Sequence, residues 1–358
     1  MRRVRITHLL NDFSVGGVTK NLELFQSSCF TIKYESEVVE VDPEWSIAPK
    51  FNTDIIFVHF PPSWRSLAFL YSLRGRNPAS EIVWMEHSYN REWETLNVPV
   101  KSRFRAMLRC AVALFDEVIC VSKAQANWLG EVTKSDESRF HVVSPWSYIE
   151  GLDDVCLPHF SADKALTIGA YGRFSKTKGF AELIEAVKLT DTSANIRLNI
   201  GGYGEQEQNF RKLAHGCRNI EFYGKVDSLS DFLGRCDVIA VPSYFESFGL
   251  VAAEAKMAGR PIMVAPVGGL PEQVEDCGII VDCTDQPSLV SALNNLRQLP
   301  LQKMAYLARQ KAMIFEEKRH SDWLGFLSQV AGRLCLSDSG IMGNRSRRPL
   351  PINMSAGQ

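Results

Sequence analysis

Short runs rich in β-branched residues alternate with longer stretches of helical periodicity, and the alternation happens twice in this chain. The first series has strand candidates at 4–10, 37–41, 54–59, 81–86, 117–121 and 141–143. Helical stretches at 18–26, 63–73, 101–114 and 124–132 fall between them. The second series has strand candidates at 166–171, 197–201, 220–223, 238–241, 262–264 and 278–281, with helices at 180–188, 205–215, 228–235, 250–258 and 287–298. A strand that returns parallel to its predecessor needs a crossover of this length, so each series predicts a parallel α/β sheet covered by helices on both faces. Residues 150–165 break the rhythm with Gly151, Asp153, Asp154, Pro158, Ser161 and Asp163, which reads as a linker. At 358 residues the chain has room for two such domains. Ligands of doubly wound sheets sit beyond the carboxyl ends of the strands, so two facing sheets place the chemistry in the cleft between them.

Composition narrows the partners. Apolar residues make up 45% and charged residues 23%, an ordinary globular balance. The net charge of -1 gives no global attraction to nucleic acid or to an anionic membrane. Nine cysteines, with no C-x-x-C pair, argue against a disulfide framework or zinc cluster and fit a reducing compartment. The opening residues read as a first strand rather than a leader, and no uncharged apolar run reaches membrane-spanning length. The expected location is therefore the cytoplasm.

The segment with the most chemistry runs from Val241 to Ile262. A strand ends at Pro242, a polar loop carries Glu246, and a helix begins near Gly249 with Glu254 inside it. Free N–H groups at a helix start suit a phosphate. A carboxylate can accept two hydrogen bonds from a vicinal diol, which sugars and ribose both present. The alternative is a capping carboxylate plus a surface helix glutamate. A second segment, from Gly169 to Phe180, runs from a strand into a loop with Arg173, Lys176 and Lys178. Fixed cations stabilise a departing diphosphate; arginine offers a bidentate fork and lysine a point charge. Lys176 is expected to be solvated, and the alternative for the whole segment is a basic surface loop. A third segment places Gly16 and Gly17 just after the first strand, where glycine permits close backbone approach to a ligand or simply a tight turn. His59 and His87 each end a strand candidate of the first domain.

The spacing Glu246-x7-Glu254, flanked by Pro242-Ser243 and Ser247-Phe248-Gly249-Leu250 and followed by Gly259-Arg260-Pro261, resembles the E-x7-E signature of glycosyltransferase family 4, a retaining group with the GT-B fold. The resemblance implies that Glu246 contacts the donor sugar and Glu254 the ribose. Ser247, Phe248, Gly249, Leu250 and Val251 would then form the main-chain cradle. Gly172-Arg173 through Lys178-Gly179 resembles the same family's diphosphate clamp, which maps onto Arg173 and Lys178. The Gly16-Gly17 loop would approach the donor phosphate and the acceptor, and His87 would contact donor sugar or phosphate. The segment 219–226, ending at Val226, resembles the strand and loop beneath the nucleotide base. Where the family has an Asn-Gly turn before the linker, this chain has Val143-Ser144-Pro145-Trp146, so the hinge or acceptor side departs from the pattern.

The implied domains are 1–155 on the acceptor side, 156–315 for the nucleotide sugar, a crossover helix at 316–335 packing back toward the first domain, and a disordered tail at 336–358. The implied reaction moves a sugar from a nucleoside diphosphate to a hydroxyl acceptor, carbohydrate or lipid-linked, with retention and in polysaccharide or glycolipid synthesis. No D-x-D pair is present, so no metal and no cofactor beyond the nucleotide-sugar co-substrate are expected. A sugar phosphorylase and a silent carbohydrate- or partner-binding relative are the alternatives. The stretch 101–114 is basic and amphipathic; it predicts either peripheral contact with the inner face of a membrane or a solvated helix packing Phe104, Leu108 and Val112 inward.

Overall fold

The structure, a computed structural model, describes residues 2–12, 22–145 and 149–338. Gly16 and Gly17 of the glycine loop, and most of the tail, lie outside the described residues.

Packing divides the chain into two units. The first comprises residues 1–89, 97–146 and 319 onward. Its six strands are β1 (Val4–Leu10), β2 (Tyr34–Glu40), β3 (Ile55–Val58), β4 (Glu81–Glu86), β5 (Glu117–Cys120) and β6 (Phe140–Val142). They form one parallel sheet in the order β2-β1-β3-β4-β5-β6. β3 is Ile-Ile-Phe-Val and is buried throughout, the continuous apolar run expected of a strand covered on both faces. Chain order reverses between β1 and β3, the switch point at which such sheets open a crevice.

The second unit comprises residues 90–96 and 147–318. Its strands are β7 (Leu166–Arg173), β8 (Ile196–Tyr203), β9 (Ile220–Gly224), β10 (Val238–Val241), β11 (Ile262–Val264) and β12 (Gly278–Ile280). They are parallel in the order β12-β11-β10-β7-β8-β9. The switch point here lies between β7 and β10. Leu183, Ile184 and Val187 of the Phe180–Leu189 helix join Ile168, Leu198, Ile200 and Ile239 of the strands in one core.

Unit boundaries differ from the sequence reading in three places. Residues 149–155 group with the second unit rather than the first. So does all but the last residue of a short helix at Arg91–Asn97, which sequence periodicity does not reveal. It is too short to repeat an apolar face, and its signal is local: the Asn90 side chain accepts from the Trp93 N–H at 2.7 Å, and Glu92 and Glu94 sit in the first turn. The last helix, Leu301–Asp338, runs past residue 335, the expected end of the crossover helix. Its Leu301, Met304 and Ala312 belong to the second unit's core. Beyond Arg319 it belongs to the first unit, where Trp323, Phe326, Leu327 and Val330 pack with Phe25 and Phe57.

Candidate functional site

The sequence-selected residues of the second unit converge on its switch point. β7 ends at Arg173, whose side chain is exposed. The chain is then anchored by Phe174, fully buried among Phe180, Phe210 and Phe222. A single 3-10 turn at Lys176–Lys178 follows, with Lys176 exposed as expected. Gly179 closes the turn at φ +67°, and a Cβ there would lie 1.9 Å from the Pro242 carbonyl oxygen. Only glycine lets this turn press against the end of β10. The Tyr244 N–H then donates to the Thr177 carbonyl at 2.8 Å. The loops after β7 and β10 are thus laced together by main chain.

That lacing brings Lys178 onto Glu246. The ammonium donates to Oε1 of the carboxylate in an ion pair whose partners are 29% and 18% exposed, half-buried and still reachable from solvent. The Ser243 hydroxyl donates to the same oxygen at 3.4 Å. From below, the Glu246 carbonyl accepts from the Gly269 N–H at 3.3 Å. Gly268, at φ +49°, has space for no side chain: a Cβ would lie 1.6 Å from that carbonyl oxygen.

The helix Leu250–Met257 starts three residues beyond Ser247. Its cap residue, Gly249, has φ +93° and no side chain to satisfy the first-turn N–H groups, which are those of a phosphate-binding helix start. Leu270 lies 2.3 Å from where a Gly249 Cβ would sit. Gln273 holds the approach, its amide donating to the carbonyls of Phe248 at 2.7 Å and Gly249 at 3.0 Å. Ser247 is buried, with the Asn90 amide 3.5 Å from its hydroxyl, and Phe248 stacks on Phe315. Leu250 and Val251 fill the first turn, half-buried. Glu254 is one turn further on and buried. Its Oε2 accepts from the Tyr171 hydroxyl at 2.7 Å. Burial, and then the Glu254 charge, push the Tyr171 phenol well above its ordinary range, so it stays a donor. Val226, after β9, packs against Gly201 at the end of β8. Tyr171 and Gly268 lie in stretches that the sequence singles out but carry no role there, and Gln273 is not singled out at all. Tyr171 and Gln273 act across the fold, and nothing in a linear pattern connects residues 171 and 254.

The first unit has a different arrangement at its strand ends. His8 lies within β1, His59 follows β3 and His87 follows β4. His8 Nδ1 is 3.0 Å from His59 Nε2, and His59 Nδ1 is 3.4 Å from His87 Nε2. Burial drives all three toward the neutral form: His8 down to about 3, His87 down to about 4, and His59 well below its ordinary value. Glu86 is buried too, and its carboxyl is pushed up to about 8 even though Oε1 accepts from the N–H groups of Ser88 and Tyr89. The sequence singles out His87 and, less strongly, His59; His8 is a miss, hidden inside a strand.

Among the described residues no group of three His, Cys, Asp or Glu side chains is arranged to hold a metal ion, and no helix is long and apolar enough to cross a membrane. The helix Lys101–Val112 buries Met107, Leu108, Ala111 and Val112 in the first unit, and Phe104 sits edge-on to Tyr89 at 5.1 Å. Its apolar face is spent on the core.

Residues 158–312 match the model of the family described as glycosyl transferases group 1. A D-inositol 3-phosphate glycosyltransferase of Xylanimonas cellulosilytica is 30% identical over 205 residues, 52% of this chain and 49% of that protein. The chain spans about half or less of the length of the curated relatives it matches. Sucrose-phosphate synthase from Thermosynechococcus elongatus superposes with a TM-score of 0.73 at 17% identity, covering 92% of this chain and 100% of that one. The HepE protein of Anabaena, in complex with UDP, gives 0.68 at 16%, with coverage of 92% and 100%. At such identities the likeness establishes the fold, which is the α/β GT-B class that the sequence predicts.

Proposed function

We propose that this chain is a glycosyltransferase that moves a sugar from a nucleoside diphosphate to a hydroxyl acceptor in glycan synthesis, with retention at the anomeric carbon. The observation that carries the reading is the convergence at the β7/β10 switch point of two cations, an uncapped helix start and two carboxylates at different depths. The family match covers this same region.

In this reading the diphosphate lies at the start of the Leu250–Met257 helix. Lys178, which pairs with Glu246, shifts toward the phosphates, and Arg173 closes on them from the end of β7. Glu246 is then released to accept hydroxyls of the sugar. Glu254, oriented by Tyr171, accepts from the ribose diol. As the bond from the anomeric carbon to the phosphate oxygen breaks, the acceptor oxygen bonds to that carbon on the same face, and the acceptor proton passes to the departing phosphate. Two cations and a helix dipole stabilise the leaving charge, so no metal ion is required. His87, neutral, supplies a hydrogen bond rather than a charge.

The test is release of nucleoside diphosphate from a panel of nucleotide sugars with a hydroxyl acceptor, starting with UDP-glucose, which the HepE neighbour also binds. The product's anomeric configuration is read by NMR. Release that needs Lys178, with retained configuration, supports the proposal. Turnover that needs free phosphate instead makes the chain a phosphorylase. Binding without turnover makes it a silent carbohydrate-binding relative.

A further inference from the structure

The three imidazoles of the first unit form a chain whose ends have different surroundings. His8 is clamped between rings, stacked on Phe57 at 5.1 Å and edge-on to Phe25 at 4.6 Å. Its Nε2 is buried and has no hydrogen-bond partner among the described residues. His59 lies next, nearly parallel to His87 with ring centroids 5.7 Å apart. His87 ends the chain, half-buried. The nitrogens that would have to converge on a metal instead face one another at hydrogen-bond distance, so the arrangement is a chain and not a metal cradle.

A neutral imidazole carries one N–H and one lone pair. Each of the two links needs one of each. If His59 holds its proton on Nδ1, its Nε2 is bare; His8 must then donate from Nδ1, and His87 must accept at Nε2 and keep its proton on Nδ1. If His59 holds its proton on Nε2, both neighbours reverse, and all three rings carry the proton on Nε2. No mixed pattern satisfies both links. A mixed pattern would leave a buried nitrogen pair facing lone pair to lone pair or N–H to N–H, with both groups unsatisfied away from water.

We propose that His8, His59 and His87 act as one tautomeric unit, in which His8 and His59 are positioning residues that dictate which ring nitrogen of His87 carries the proton. The remaining nitrogen of His87, Nδ1, is therefore a donor in one state and an acceptor in the other, and the choice is made jointly with a ring two links away. Burial supports the model by keeping the rings uncharged at neutral pH. The coupling stands on the three rings alone; its consequence for donor recognition rests on the glycosyltransferase reading, in which a phosphate oxygen at His87, which can only accept, selects the all-Nδ1–H state, whereas a sugar hydroxyl pairs with either.

The experiment is long-range proton–nitrogen NMR of the full-length, ligand-free protein with nitrogen-labelled histidine. Signals are assigned by replacing the other four of the seven histidines one at a time with glutamine. The expected result is that His8, His59 and His87 all carry the proton on the same-named nitrogen. His8→Phe, which keeps the ring stack and removes the first link, is then expected to shift the His87 signals toward a tautomer mixture. Mixed tautomers among the three rings in the native protein, or His87 signals unmoved by His8→Phe, would overturn the proposal. Should that variant fail to fold, the native pattern decides alone. No substrate enters the measurement, so a failed transfer assay leaves the result untouched.

Discussion

The two units place polar groups at their strand ends in opposite ways. In the second, charge is kept available: Arg173 is exposed, and the Lys178–Glu246 pair is half-buried and ready to exchange partners. In the first, charge is suppressed: buried His8, His59 and Glu86, and half-buried His87, are driven toward their neutral forms. The charged arrangement of the second unit suits an anionic group such as a diphosphate. The neutral arrangement of the first unit suits groups that form hydrogen bonds without charge, such as hydroxyls. The same sheet architecture thus presents two chemistries, set by how deeply the residues after each strand are buried.

The largest expected effect is on the charged side. Lys178→Ala should lower kcat/KM for the donor by about 10²–10³, the usual cost of losing one preorganised group at a developing anion. Its melting temperature should move little, because a half-exposed ion pair contributes at most about 1 kcal/mol. A large loss of stability with intact turnover would reverse the roles assigned to the two units.

Gly268→Ala should come next. A Cβ at φ +49° and 1.6 Å from the Glu246 carbonyl forces the loop apart, at a cost of roughly 2–4 kcal/mol in denaturant unfolding. Gly151→Ala, also at positive φ but in open space, should cost about 1 kcal/mol. Equal costs would mean that the Glu246 loop is not held by this contact. Tyr171→Phe should raise the donor KM about tenfold with kcat nearly unchanged, since it removes one hydrogen bond to a charged group that orients Glu254. A fall in kcat alone would place Tyr171 in the reaction rather than behind it.

The smallest effects are on the neutral side and depend on pH. His8 and His87 titrate at about 3 and about 4 in the folded chain against 6.5 ordinarily, so the unfolded chain binds more protons between those values. Their contribution is complete above about pH 6.5 and is lost as pH falls toward 4. Glu86 has the opposite sign. Raised from 4.5 to about 8, it contributes below pH 4.5 and loses that contribution as pH rises to 8. Melting temperature against pH should therefore lose its alkaline decline in Glu86→Gln and part of its acid decline in His8→Phe, by on the order of 5 °C each. Parallel curves for native and variant proteins would mean these groups are not held neutral.

How much was readable in advance follows the same division. Both sheets were legible because buried parallel strands leave unbroken apolar runs, as in Ile55–Val58 and Val238–Val241. The elements that carry the second unit's candidate site were legible because a strand end, a loop and a helix start lie within one stretch from Val241 to Met257. What joins Lys178 to Glu246, or Tyr171 to Glu254, is the order of β7 and β10 in the sheet, which a linear pattern does not carry. The imidazole chain was illegible for the same reason. Its members come from within β1 and from the residues just after β3 and β4, and His8 looks like any inward residue of a strand.

The central claim is that the β7/β10 switch point binds a nucleoside diphosphate. Its most direct test is thermal unfolding of the native chain, Glu254→Ala and Lys178→Ala with UDP, GDP, ADP and dTDP. At 100 times its dissociation constant a ligand adds about 2.7 kcal/mol. A rise of on the order of 5–10 °C is expected with one of the four nucleotides, lost in both variants. No rise with any of them, or a rise that survives both substitutions, would contradict it.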